Sequence, residues 1–433
     1  MSDDELRTAL QKLAEPVSGS ARPATRDDVI AEVERRTRRR WLGVGATAAS
    51  VAVVAVGATI VTGTGTGDDE PGLTESQADT GWTRIADSPL SPRSGEVAVW
   101  TGSEMLVIGG TDQPPCPPLA ECTGPTAAQR LSDGAAYNPQ TDTWRRIAEA
   151  PQSVTYAQAV WTGDEAIVVV PFLSPQAEGA TLAYDPETDR WRLMAPPLPG
   201  YGRLLGGGNG DPIIAWRSEE RGDAGDAVLN LEDGTWTELP DDPFGRTYDR
   251  SFVWAGDRLL FTAMLVPPAS EDDGESDRPR TYQLAELDLV SREWRVLPET
   301  PVGFGEPTWF VTDDSLVNPT QDWYYDGLDH SGGIYDLRTG TWRDVQEPAD
   351  ISGDQTVCDL PKIGVGAQWI AGGYGSLVSV DPDASIYVAS CAPLHAPQVG
   401  VWAGDELIVY GGVDQAFKHH LTIGLRWRPP APE

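Results

Sequence analysis

An all-β fold, a seven-bladed β-propeller with six or eight blades left open, is predicted by two recurring stretches and by a mismatch between the ends of the repeat region. The fullest repeat runs from Ala159 to Trp191. Strand a ends at Trp161, a tight turn at Thr162-Gly163-Asp164 follows, and the apolar run Ala166–Val170 is strand b. A longer loop leads to strand c, Thr181–Tyr184, and a turn over Asp185–Asp189 leads to strand d, which opens at Trp191. β-Branched and aromatic residues fill the strands, where a pleated surface packs them well. Gly, Asp and Pro fill the turns, where the backbone needs them.

The end of strand a and its turn return at Val99-Trp100, Val253-Trp254 and Val401-Trp402, and more loosely at Phe310-Val311. The closing strands return with Trp144, Trp236, Trp294 and Trp342, at intervals of roughly 45–60 residues, a period that marks stacked four-stranded units. The region begins with a strand d that has no predecessors: Gly81-Trp82-Thr-Arg-Ile-Ala matches Thr143-Trp144-Arg-Arg-Ile-Ala. It ends with Val399–Trp402, Glu406–Tyr410 and Thr422–Trp427 as strands a, b and c with no d. Trp82–Ile85 is therefore expected to complete the last sheet, which removes an open edge.

Four segments follow: a helical cytoplasmic tail over residues 1–40, a transmembrane helix over 41–63, a flexible tether over 64–80 and the propeller over 81–433. Leu6, Leu10 and Leu13 mark a first short helix, and Val29, Ile30 and Val33 a second. Arg35–Arg40 precedes an uncharged run long enough to span a bilayer, and Asp68-Asp69-Glu70 comes soon after it. The positive-inside rule then puts the N-terminus in the cytoplasm and the propeller outside, in a single-pass cell-membrane protein. The leading segment is too long and too acidic for the n-region of a signal peptide, so an uncleaved anchor is expected.

The 433 residues carry 66 Asp and Glu against 32 Lys and Arg, a net charge of -34. Such acidity repels phosphate backbones and excludes nucleic acid as a partner of the propeller. The spacing of the 4 Cys fits no zinc motif, and no metal or cofactor is expected. Cys116 with Cys122, and Cys358 with Cys391, are expected to form disulfides, which suits an oxidising compartment.

Gly109-Gly110 and Gly411-Gly412 after strand b, Tyr137, Tyr184 and Tyr335 in strand c, and the Trp of strand d together resemble kelch-type repeats, as in the central domain of galactose-oxidase-like proteins. The resemblance covers about residues 82–428 and implies a seven-bladed propeller with a binding face. It does not imply oxidase chemistry, since one fold hosts many functions. Copper oxidases of that family use two His, two Tyr and a cross-linked Cys, which His330, His395, His419 and His420 do not match. No catalytic constellation is recognised, and the chain is not expected to be an enzyme. The N-terminal layout resembles that of actinobacterial membrane proteins associated with sigma factors.

The b–c loops are long and unequal, whereas the a–b and c–d turns are short and alike. Binding groups belong on variable loops held by a rigid frame, so a ligand is expected at the channel mouth on the b–c side. Candidate ligand residues there are Trp323, Tyr324, Tyr325, Asp326, Asp329 and His330, which suit sugar stacking or a protein contact. Arg93, Tyr156, Arg203, Arg246, Tyr248, Arg250 and His395, at the starts of a-strands, suit an anionic or polar ligand. The expected partner is a protein or an envelope glycan. A cytoplasmic regulator for residues 1–40 and a polysaccharide substrate are the alternatives.

Overall fold

A computed structural model describes residues 81–116, 122–170, 179–196, 203–206, 212–216, 225–256, 258–265, 282–300, 309–312, 315–318, 333–344, 364–366, 369–371, 377–380, 386–389, 397–414 and 417–428. The chain divides into two units, Met1–Asp68 and Asp69–Glu433, and every described residue belongs to the second. The tail, the transmembrane segment and the tether expected over residues 1–80 lie outside the described residues.

The described strands form seven antiparallel sheets of four strands each. The short strand β1, Trp82–Arg84, comes first. The first sheet follows, β2 (Val97–Trp100), β3 (Met105–Ile108), β4 (Gly134–Asn138) and β5 (Thr143–Ile147). The second holds β6 (Gln158–Trp161), β7 (Ala166–Val170), β8 (Ala180–Asp185) and β9 (Arg190–Met194). The third holds β10 (Arg203–Leu205), β11 (Ile213–Trp216), β12 (Ala227–Leu229) and β13 (Trp236–Glu238). The fourth, with the longest strands, holds β14 (Thr247–Ala255), β15 (Arg258–Leu265), β16 (Tyr282–Asp288) and β17 (Glu293–Val296). The fifth holds β18 (Phe310–Thr312), β19 (Ser315–Asn318), β20 (Gly333–Asp336) and β21 (Thr341–Asp344). The sixth holds β22 (Gly364–Gly366), β23 (Trp369–Ala371), β24 (Leu377–Val380) and β25 (Ile386–Ala389). The last holds β26 (Val399–Ala403), β27 (Glu406–Tyr410) and β28 (Gly424–Trp427), with β1 as its fourth strand.

The first strands of successive sheets lie against one another in chain order, from β2 to β6 and onward to β22 and β26, and β26 lies against β2. Sheets that radiate from a common set of first strands make a β-propeller. The second strands are covered on both faces: Met105, Leu106, Val107 and Ile108 are fully buried, as are Ile167 and Val168. Leu106 and Ile108 pack toward Val168 and Leu182 of the second sheet, while Met105 and Val107 pack toward Ile408 and Tyr410 of the last. This two-sided cover explains why strand b reads as a continuous apolar run instead of an alternating one.

The expected closure is present. Trp82 pairs with Trp427, Thr83 with Arg426 and Arg84 with Leu425, all antiparallel. The Ile85 amide extends the ladder by donating to Gly424 O at 3.1 Å. Trp82 and Trp427 are both buried, with ring centroids 6.1 Å apart.

A Tyr, an Asp and a Trp tie the first and second sheets to the one before each, and Trp294 and Trp342 make the same indole bond from the fourth and fifth. In the first sheet, Tyr137 Oη donates to Asp142 Oδ1 (2.8 Å), and the same oxygen accepts the Ala86 amide (2.9 Å). Trp144 Nε1 donates back to Ala86 O at 2.9 Å, so the turn grips the chain just beyond β1. The second sheet repeats this with Tyr184, Asp189, Trp191 and Ala148. These bonds hold the Asp142 carboxyl below its usual range, the Ala86 amide being the largest cause and the Tyr137 hydroxyl the next. The turns place their residue two before the Trp in the left-handed region: φ is 51° at Asp142, 53° at Asp189, 59° at Arg292 and 71° at Gly340.

Trp82→Ala removes a buried indole from the closing strand and is expected to cost about 3–5 kcal/mol in denaturant unfolding. Thr83→Ala, on the exposed face of the same strand, is expected to stay within about 0.5 kcal/mol of the parent.

Candidate functional site

In these sheets the connections between second and third strands emerge at the same end as the connections between sheets. At the junction of the first and last sheets, two of the long loops are described over most of their length. The loop after β3 is braced by the Cys116–Cys122 disulfide, with Cα atoms 6.0 Å apart, and by Gln113 Nε2 donating to Thr123 O at 2.7 Å. It also holds a single 3-10 turn, Ala127–Gln129, in which Gln129 Oε1 accepts the Thr126 amide at 3.0 Å. Cys358 and Cys391 lie outside the described residues. The loop after β27 folds back through a bridge between Val413 and His420. His420 Nε2, as the protonated nitrogen, donates to Gln113 O at 2.9 Å and so joins the two loops. Burial lowers the His420 pKa, against smaller opposing effects from the backbone at Gln113 and Gly412.

Beneath these loops lies Glu96, at the start of β2 and 6% exposed. Neither carboxylate oxygen bonds to another described residue. Two glycine pairs make the room it occupies. A Cβ on Gly411 would sit 2.9 Å from Glu96 Oε1, and one on Gly110 would sit 3.2 Å from Glu96 Cβ. Both glycines have positive φ, 80° and 101°. Burial pushes the Glu96 carboxyl up to about 7, against smaller opposing effects from its own amide and from Arg93. The sequence reading missed this residue. Its only signal was an acidic side chain directly before the apolar β2.

Two of the expected ligand residues are instead internal. Arg93 is 1% exposed and its guanidinium is fully engaged: Nη1 donates to Asp133 Oδ1 (2.7 Å) and Gly109 O (2.9 Å), Nη2 to Asp133 Oδ2 (3.1 Å), and Nε to Ser91 O (2.9 Å). Arg250, also 1% exposed, lies within β14, where its guanidinium meets Asp226 at 2.8 and 2.5 Å and Asp242 at 3.2 Å. It also stacks 4.9 Å above the Phe261 ring. Their expected convergence on a ligand is corrected accordingly. A buried guanidinium needs carboxylates and carbonyls against it, and Asp133, Gly109 O, Asp226 and Asp242 supply them here.

Tyr156, Arg203 and Arg246 are exposed, and Tyr248 is half-buried within β14. Tyr156 is 50% exposed, with φ 53°, a strained conformation for a bulky residue. Its amide donates to Gly95 O at 2.8 Å, and its ring covers Gly95, where a Cβ would come within 2.7 Å of it. The next bonds inward, Gly110 N–H to Val154 O (2.6 Å) and Thr155 Oγ1 to Gly110 O (3.0 Å), fix this posture. Trp323, Tyr324, Tyr325, Asp326, Asp329, His330 and His395 lie outside the described residues.

At the opposite, short-turn end, a groove of about 590 Å³ runs between the first and second sheets past Trp161, Asp164 and Glu187. Its Glu104 and Glu165 are each held by an arginine, Arg145 and Arg192, through paired bonds of 2.6–3.0 Å. Those carboxylates serve the sheets. Among the described residues, no cluster of three His, Cys, Asp or Glu is placed to hold a metal.

No family model matches the chain. It is similar to the N-acetylneuraminate epimerase of Yersinia enterocolitica (serotype O:8 / biotype 1B), at 31% identity over 99 residues, 22% of this chain and 24% of that protein. The chain thus matches about a quarter of the length of this curated relative, 24%. Together with the four-stranded antiparallel sheets, the match supports a β-propeller.

Arg250→Ala strands Asp226 and Asp242 in a buried site and is expected to lower stability by about 3–5 kcal/mol in denaturant unfolding. Arg246→Ala, at an exposed position four residues earlier, is expected to leave the unfolding midpoint within error.

Proposed function

We propose that this chain is a binding module: a seven-bladed propeller, held outside the cell by a membrane anchor over residues 41–63, which presents its long-loop mouth to an acidic envelope glycan. The observation that carries the reading is the closure of the last sheet by β1. A shut ring is a rigid frame, and a rigid frame with unequal loops at one end is how propellers and other scaffolds position ligand groups. The cycle of first-strand contacts supports a count of seven blades.

The exposed groups at the mouth favour a polar, anionic ligand. Arg203 and Arg246 supply guanidiniums whose planar donor forks suit carboxylates, and Tyr156 supplies a pinned aromatic face on which a sugar ring can stack. The similarity to a protein named for N-acetylneuraminate, a carboxylated sugar, supports a glycan over a protein partner. Binding of this kind needs no catalytic group.

The test is an array of acidic and neutral glycans probed with the full-length chain, alongside membrane fractionation of expressing cells. Acidic glycans are expected to bind, and Tyr156→Ala or the Arg203→Ala/Arg246→Ala pair is expected to weaken binding about tenfold or more without moving the melting temperature. Equal binding of acidic and neutral glycans, or tight binding by the variants, would refute the glycan reading. Recovery of the chain in the soluble fraction would refute the anchor.

A further inference from the structure

We propose that Glu96 is a proton-operated latch on the seam between the first and last sheets: its carboxyl is neutral while the seam is shut, and its ionisation loosens the seam and the two long loops joined above it. The geometry is that of a site built around an uncharged acid. Glu96 is 6% exposed, and neither of its oxygens bonds to another described residue. The cation nearest to it in the chain, Arg93, is already taken up by Asp133. From the last sheet Gly411 lies against it, where a Cβ would meet Oε1 at 2.9 Å and Gln398 Cβ at 3.2 Å, and Tyr410 lies close enough to feel its charge. An ionised carboxylate in such a place has lost its water and gained no donor, which costs several kcal/mol, whereas a neutral carboxyl costs far less.

The clean Gly-Gly pairs occur in the two sheets that meet at this seam. Gly110 and Gly411 both border Glu96. A side chain at either position would fill the niche that holds the carboxyl, so the glycines and the acid form one device. The device is coupled to the mouth, because His420 from the last sheet bonds Gln113 of the first directly across the same seam.

The titratable groups that act on Glu96 are Arg93 of its own sheet, itself paired with Asp133, and Tyr410 of the last sheet, while His420 stands in the loop that follows β27. Burial raises Tyr410 to about 12, outside the physiological range. The sign for Glu96 follows from its shift from 4.5 to about 7. The folded chain holds the proton more tightly than the unfolded chain, so the contribution is full below 4.5 and is lost as pH rises through about 7. His420 acts in the opposite sense. Its pKa is lowered from 6.5, so its contribution is present above 6.5 and is lost as pH falls through the lower folded value. The stapling carboxylate Asp142 is lowered from 3.8 and titrates below this window.

The experiment is hydrogen exchange with mass spectrometry on the full-length protein at pH 5.5 and pH 8, corrected for intrinsic exchange rates. Peptides covering β2 and β26, which meet across the seam, and the loops after β3 and β27 are expected to lose about tenfold protection at pH 8, while β15 and β16 keep theirs. Glu96→Gln, which keeps the shape without the charge, is expected to abolish the pH difference at the seam. A wild-type seam with pH-independent protection overturns the latch, as does a Gln variant that retains the wild-type response. Should Glu96→Gln not fold, the wild-type comparison alone decides, and a response of the opposite sign assigns the effect to His420 and overturns the proposal. The exchange pattern does not depend on any glycan, so its outcome is separate from that of the binding test.

Discussion

Three strands at the end of a chain make an incomplete sheet with one exposed edge, and an open ring of sheets would leave two apolar faces in water. Both problems are removed by one ladder, in which Trp82, Thr83 and Arg84 pair with Trp427, Arg426 and Leu425. The strand joins sequence-distant ends, so its loop-closure entropy is large and must be offset by burial. The pair of buried indoles and the Ile85 side chain, 4% exposed, supply that burial. Everything placed at the mouth depends on this ladder, because the loops after β3 and β27 stand on the two sheets that it brings together.

A second device occurs in both the first and the second sheets. The Asp at the left-handed position of the turn between third and fourth strands accepts a tyrosine hydroxyl from its own sheet and a backbone amide from the preceding one. The Trp two residues later returns a bond to the same neighbour. Each bond is modest alone, about 1 kcal/mol, but it is directional, and so it fixes how one sheet is rotated against the next. Apolar packing between sheets is not directional and could not do this. The signature residues of the repeat are thus inter-sheet connectors as well as core.

Much of this was legible in the sequence because it is local. Strand units, turns and the unmatched fourth strand at Trp82 follow from apolar runs and turn residues within a few positions of one another. What escaped depends on partners far away in the chain. Arg93 and Arg250 read as ligand groups because their position at the start of a strand was visible and their carboxylates were not: Asp133 lies 40 residues from Arg93, and Asp226 lies 24 residues from Arg250. Glu96 escaped for the converse reason. Nothing local marks an acid that will be buried without a donor, and the glycines that shelter it come from two different sheets. Tyr156, Arg203 and Arg246 remain at the mouth as exposed groups.

The ring closure can be tested by chemistry at one residue pair. Thr83 and Arg426 stand directly opposite each other in the closing ladder, a spacing that suits a disulfide. The Thr83→Cys/Arg426→Cys variant, oxidised and mapped by peptide mass spectrometry, should show these two cysteines joined in nearly every molecule. Cysteines that stay reduced, or that pair instead between separate molecules, would mean that β1 does not close the last sheet.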